Sequence, residues 1–249
     1  MSVRFEIRGA VAVLGIDRPF QRNAVNRATA EALLDGYQRF ASDAALKVLV
    51  VTGFGGQAFC AGADLKAMDN DPDAIDGPMG FTRLIPDKPT LAAIEGYCVA
   101  GGLEIALFCD IRVAAESARF GCLERRWGVP LIDGGTQRLP RVVGLGRALD
   151  LVLTGRLLDA HEAERIGLVN RVVPDGSALE HSIQLAEEIA AHPWACVIAD
   201  RTSLYEGIGQ PLSEGIKLEA ERGREVLVEA AIGASRFAAG AGRGGTFSS

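Results

Sequence analysis

The chain has 249 residues, 48% of them hydrophobic and 23% charged, an ordinary globular composition with room for one large domain or a domain plus an appendage. Its 26 basic and 32 acidic side chains leave a net charge of −6, and a pI near 5.2 argues against nucleic acid as the main partner. No apolar run is long enough to span a membrane, and the opening MSVRFEIRGAVAVLGIDRP lacks the charged start and apolar stretch of a signal peptide.

Five cysteines, Cys60, Cys98, Cys109, Cys122 and Cys196, form no CxxC pair and lie in apolar contexts. They read as reduced, buried thiols of a cytoplasmic protein. The three histidines, His161, His181 and His192, show no metal-ligand spacing, so no metal is expected.

In chain order, VRFEI and AVAVLGI flank Arg8-Gly9 and read as a hairpin. From Asn26 to Ser42, Ala30, Leu33, Leu34, Tyr37 and Phe40 recur at helical spacing, with Asn26 as N-cap. KVLVVTG is a buried strand, followed by the glycine-rich GFGGQAFCAGADLK. DNDPDAIDGP, from Asp69 to Pro78, is acidic and broken by prolines, which predicts a mobile surface loop. PTLAAIEG and DIRVAAE are further strands, with a helix between them opening after Gly101 and Gly102. Strands alternating with helices define an α/β class. From about Ser177 the pattern is helical, and the tail AAGAGRGGTFSS reads as frayed.

Two glycine turns, AFCAGADLK and GYCVAGGLEIAL, each follow a strand. The N–H groups at a helix start have no intrahelical partner, so they suit an anion or a developing oxyanion. Each turn is equally readable as a tight connection, and neither matches a phosphate-binding glycine pattern or a serine-nucleophile elbow. Glu104 stands two residues after Gly102 in an apolar run, where an unpartnered carboxylate is costly. Glu124 follows twenty residues later, after one helix and one strand. Both acids could face one pocket as general acid and base. Alternatively, Glu124 pairs with Arg125 or Arg126 on the surface.

DRPFQRNAVN, AFCAGADLK, GYCVAGGLEIALFCDIRVAAESARFG, DGGTQRLPRVVG and LTGRLLDAHEAERIGLVNRVV, in this order, closely resemble the crotonase superfamily, in particular its enoyl-CoA hydratase/isomerase members. The resemblance implies a spiral core of repeated ββα units over residues 1–190, and a helical trimerisation region over 191–249. It implies an acyl-CoA thioester substrate, with CoA part of the substrate and no other cofactor, and a homotrimer or a hexamer built as a dimer of trimers.

By the same resemblance, the N–H groups of Ala63 and Gly101 form an oxyanion hole, and Glu104 and Glu124 are the catalytic acids. Asn23, Ala24, Ala61, Asp64, Leu65, Lys66 and Ile132 fall where the family holds CoA and the acyl group. The reaction implied first is hydration of a trans-2-enoyl-CoA. Isomerisation, decarboxylation and thioester hydrolysis are the rivals, and RNA binding is the rival from another class.

One stretch departs from the family: Leu131, Ile132 and Asp133 replace the start of a glycine-rich PGAGGT sequence. Ile132 is expected either to narrow the acyl pocket or to displace the catalytic water. Asp133 either adds a third carboxylate or caps the helix that begins at GGTQRL, and the capping reading is preferred.

Overall fold

The computed structural model describes residues 2–240. Strands β1 (Val3–Arg8) and β2 (Val11–Ile16) pair antiparallel as the expected hairpin. Helix α1 (Arg27–Ser42) follows, and the Asn26 side chain accepts a hydrogen bond from Thr29 N at 3.1 Å as its cap. β3 (Val48–Gly53) and β5 (Thr90–Ile94) are buried at every position, as apolar runs inside a parallel sheet must be. β7 (Ile111–Ala115) and β10 (Arg171–Val173) complete a six-stranded sheet in the order β1-β2-β3-β5-β7-β10.

A second sheet, β4-β6-β8-β9, is built from very short strands: β4 (Ala58–Cys60), β6 (Tyr97–Val99), β8 (Arg119–Gly121) and β9 (Leu158–Asp159). Three successive pairs, β3/β4, β5/β6 and β7/β8, each give one strand to the large sheet and the next to the small one. This repetition is the spiral, and every strand of the second sheet escaped the periodicity reading. Three residues are too few to show alternation.

Helix α2 (Gly101–Phe108) leaves β6, and seven of its eight residues are buried. An aromatic cluster of Tyr37, Phe81 and Phe108 joins α1, the chain before β5 and α2, with the Phe81 and Phe108 rings 4.8 Å apart. This cluster anchors the end of the long connection between β4 and β5. Helices α3 (Gly135–Val143), α4 (Leu145–Thr154) and α5 (Ala160–Arg165) follow.

The segment Asp69–Pro78 is irregular, as expected, but it is tied down. Arg83 donates to Ala74 O at 2.8 Å and to Pro72 O at 2.9 Å, and Asn70 donates to Pro78 O at 2.9 Å. Its charges face outward while backbone carbonyls are gathered by one arginine, a device with no signature in composition.

The chain divides into two compact units, residues 1–186 and 187–249, with α6 (Ala178–Ala191) crossing the division. In the second unit α7 (Trp194–Gly207) and α8 (Leu212–Glu225) are joined by an Arg222–Glu206 ion pair at 2.9 Å. Neither α8 nor α9 (Leu227–Ala238) has a buried residue. Of the tail expected to fray, residues 241–249 lie outside the described ones.

Candidate active site

The segment Arg18–Val25 clamps the loop after β4. Val25 N donates to Gly62 O at 2.9 Å and Asp64 N donates to Val25 O at 2.8 Å. Arg18 donates to Asp64 at 3.0 Å and also to the Ala24 carbonyl. Burial raises the Asp64 pKa, but the Arg18 hydrogen bond and charge outweigh it and hold the carboxyl below its ordinary value. Thus the chain on both sides of Ala63 is fixed while its own N–H makes no hydrogen bond among the described residues.

The second turn is set by backbone strain. Ala100 sits at φ 52° and ψ −130°, a conformation that costs a side-chain-bearing residue about 1–3 kcal/mol. It turns the chain sharply from β6 into α2 and leaves the Gly101 N–H as the first free donor of the helix. The two turns are pressed together: a Cβ on Gly62, whose φ is +94°, would lie 2.9 Å from Gly101 N. Only glycine fits there.

Ala63, Gly101, Glu104 and Glu124 all line one cavity of about 400 Å³. Glu104 is 3% exposed and Glu124 6% exposed. Glu104 Oε1 accepts from Asp133 N at 2.9 Å and Gly135 N at 2.8 Å. A side chain at Gly135 would meet Oε1 at 2.9 Å, so the second glycine of DGGT makes room for the acid. No donor among the described residues reaches Oε2. Burial, the Asp133 charge and, less strongly, Glu124 push Glu104 up to about 7, against the pull of its two backbone donors.

Glu124 lies on a 3-10 turn, Leu123–Trp127. No other residue among the described ones donates a hydrogen bond to either of its buried oxygens. Burial raises its pKa, with its own backbone N–H and the Arg125 charge opposing. The surface ion-pair reading of Glu124 therefore fails: Arg125 and Arg126 donate to the carbonyls of Val152 and Gly155.

Ala61, Leu65 and Ile132 also line the cavity, and Ile132 brings a branched side chain to its wall. Asp64 acts as a brace beside it, and Lys66 is exposed outside it. Asn23 and Ala24 do not line the cavity. Asn23 is fully buried, accepting from Arg18 N and donating to the carbonyls of Phe54 and Ala58, so its side chain holds the clamp together.

The capping role expected for Asp133 is corrected. The residue before α3 is Gly134, at φ 97°, and it makes no side-chain cap. Asp133 instead points at the preceding loop, accepting from Met79 N at 3.0 Å and from the Thr82 hydroxyl. The left-handed glycine turns the chain so that the side chain before it leaves the helix axis.

Met79 and Trp127 line the cavity without having been singled out in the sequence. Met79 sits where a Cβ on Gly101 would touch it at 3.0 Å. Trp127 is 75% exposed, and a tryptophan flanked by ERR and Gly was the available signal.

The family model described as Enoyl-CoA hydratase/isomerase matches residues 6–238. An enoyl-CoA hydratase of Mycobacterium tuberculosis is 37% identical over 233 residues, covering 90% of this chain and 87% of that protein. A carnitinyl-CoA dehydratase of Salmonella typhi is 36% identical over 224 residues, covering 87% and 85%. The crystal structure of an enoyl-CoA hydratase from Mycobacterium marinum superposes with a TM-score of 0.89 at 38% identity, over 95% of each chain. With the spiral of two sheets and the glycine turns around a two-acid cavity, these likenesses show that the chain belongs to the enoyl-CoA hydratase/isomerase family.

Proposed function

We propose that the chain is an enoyl-CoA hydratase, adding water across the 2,3 double bond of a trans-2-enoyl-CoA. The observation that carries this reading is the pair of buried carboxylates in one cavity with two outward-facing N–H turns, Glu104 held by two donors and Glu124 by none from any other residue. The relatives named as hydratases and dehydratases support it, since dehydration is the same chemistry reversed.

In this reading the thioester oxygen lies between the N–H groups of Ala63 and Gly101. Negative charge builds on that oxygen as water attacks, and each donor is worth about 3 kcal/mol there. Glu104 Oε2 takes a proton from the water, whose hydroxide bonds to C3. Glu124 gives its proton to C2, and the proton taken up by Glu104 returns to Glu124 through solvent once the product has left, which restores the pair. An acyl chain filling the cavity expels solvent. Glu104 keeps its two backbone donors, whereas both Glu124 oxygens are buried with no donor from another described residue, so the single proton of the pair is assigned to Glu124. As proposed, these side chains and N–H groups carry all the chemistry, and CoA arrives as part of the substrate.

Ala61, Leu65 and Ile132 would contact the acyl and pantetheine parts. Asn23, Ala24, Asp64 and Lys66 would act on CoA through the clamp and the loop rim. A homotrimer or a dimer of trimers is part of the proposal, supported by exposed Ile216, Leu227, Val228 and Ile232 on α8 and α9. A cytoplasmic setting is supported by five unpaired cysteines. No helix among the described residues is long and apolar enough to cross a membrane.

Mixing the protein with a panel of trans-2-enoyl-CoA esters tests the reaction. Loss of the conjugated thioester absorbance is expected, fastest at the preferred chain length. No loss with any ester, together with a rise on 3-enoyl-CoA, would make the protein an isomerase.

A further inference from the structure

We propose that Asp133 is a positioning residue for Glu104: it ties the Gly77–Thr82 wall of the cavity to the turn whose N–H groups hold Glu104, and it sets a second negative charge beside that base. The proposal rests on reading Glu104 as the base of the hydration.

Asp133 is 4% exposed, and a carboxylate so buried needs partners. Its partners are Met79 N and the Thr82 hydroxyl, both on the chain leading into β5. Its own backbone N–H is one of the two that grip Glu104 Oε1. One residue therefore holds the Met79 wall with its side chain and the base with its main chain. Arg138 reinforces the same seam, donating to the carbonyls of Thr82 and Asp133 at 2.6 and 3.2 Å, and Arg83 donates to Ile132 O at 3.1 Å.

The titratable groups facing Glu104 are Asp133 and Glu124. Arg83 and Arg138 face Asp133 and moderate its charge. The nearby Cys60 and Cys122 thiols are each pushed up to about 12 by burial and stay neutral. Asp133 is thus the strongest negative neighbour of Glu104, and its removal makes Glu104 easier to ionise.

The test compares Asp133→Asn, which keeps an acceptor oxygen but no charge, with Asp133→Ala, which keeps neither. Glu104 is titrated directly by carbon-13 carboxyl NMR, its signal identified by its absence in Glu104→Gln. Hydration is followed from pH 5 to 9. In Asp133→Asn the Glu104 titration and the acid limb of the rate should both move down by about one pH unit. In Asp133→Ala, kcat/KM should fall about 10- to 100-fold, with Asn restoring most of it. Thr82→Val, which removes one donor and little else, should lose a few-fold and stands in if the alanine variant fails to fold. An unmoved Glu104 titration in Asp133→Asn overturns the proposal. A wild-type protein that hydrates no ester refutes the functional reading instead, and the NMR titration then decides the role of Asp133 alone.

Discussion

Glu104 and Glu124 are the same residue type, both buried against one cavity, yet the chain treats their oxygens differently. At Glu104 the turn before α3 folds back to offer two N–H groups, and one oxygen is locked between them. At Glu124 the 3-10 turn brings the carboxyl into the same space and no other residue donates to it. Burial raises both, but only Glu104 is gripped by two N–H groups from a distant part of the chain, whereas Glu124 has its own backbone N–H and the Arg125 charge to oppose burial. The difference teaches that the division of labour between two identical acids is made by backbone donors supplied from elsewhere in the chain.

The most drastic way to break the comparison is to remove each acid's proton chemistry at constant size. Glu104→Gln and Glu124→Gln should each lower the hydration rate about 10²- to 10⁴-fold. The double variant should lose less than the product of the two, because the acids act on one water. If Glu104→Gln hydrates normally, the asymmetry has no catalytic meaning.

Replacing the proposed oxyanion donor that lines the same cavity comes next. Gly101→Pro deletes the N–H at the first helical position, where the φ of proline suits a helix and its ring must displace the end of the flexible Met79 side chain. A folded variant should be about 10²- to 10³-fold slower, with thioester binding weakened far less. Circular dichroism and stopped-flow absorbance together check this.

The acidity of Glu104 gives a smaller, graded effect. A base that titrates at about 7 must be ionised to work, so the wild-type rate should fall about tenfold for each pH unit below 7. Stability should move the other way. The Glu104 pKa is raised on folding, so its stabilising contribution is complete below the unfolded value of 4.5 and is lost as pH rises through 7. Glu104→Gln removes that titration. Its unfolding free energy in denaturant titrations should exceed that of wild type by a margin that widens between pH 5 and 8, reaching on the order of 3 kcal/mol. A constant margin would show that burial does not strain this acid.

The smallest effect concerns the turn itself. Ala100→Gly relieves the positive φ and should stabilise the fold by about 1 kcal/mol in denaturant titrations. Loss of stability instead would mean that the Ala100 methyl, packed beside Gly62, is worth more than the strain.

Five strands of the large sheet, β1, β2, β3, β5 and β7, were legible because they are runs of five or six mostly apolar or alternating residues, whereas the three-residue β10 was not; α1 was legible because its cap and periodicity agree. The small sheet was not, since strands such as Ala58–Cys60 are defined by their neighbours and not by their own pattern. Glu104 was visible as a charge in apolar text, whereas Glu124, followed by Arg125 and Arg126, was equally readable as a surface ion pair without the family resemblance. The donors to Glu104 were hidden, because Gly135 N and Asp133 N carry no side-chain signal and Asp133 invited a helix-cap reading. The structural role of Asn23 was hidden too: the motif pointed to substrate binding, and nothing in the sequence showed that its amide ties three backbone groups.

The connection between β4 and β5 begins with a residue that faces the reacting carbonyl in the proposed reaction and ends with the Met79 wall, both ends stapled to the core. Between them, residues 65–76 belong to no helix or strand. Insertions or deletions there would leave both ends in register. Substrate range in such a fold can diverge by editing one stretch of chain, while the reaction passes unchanged from one acyl length to another.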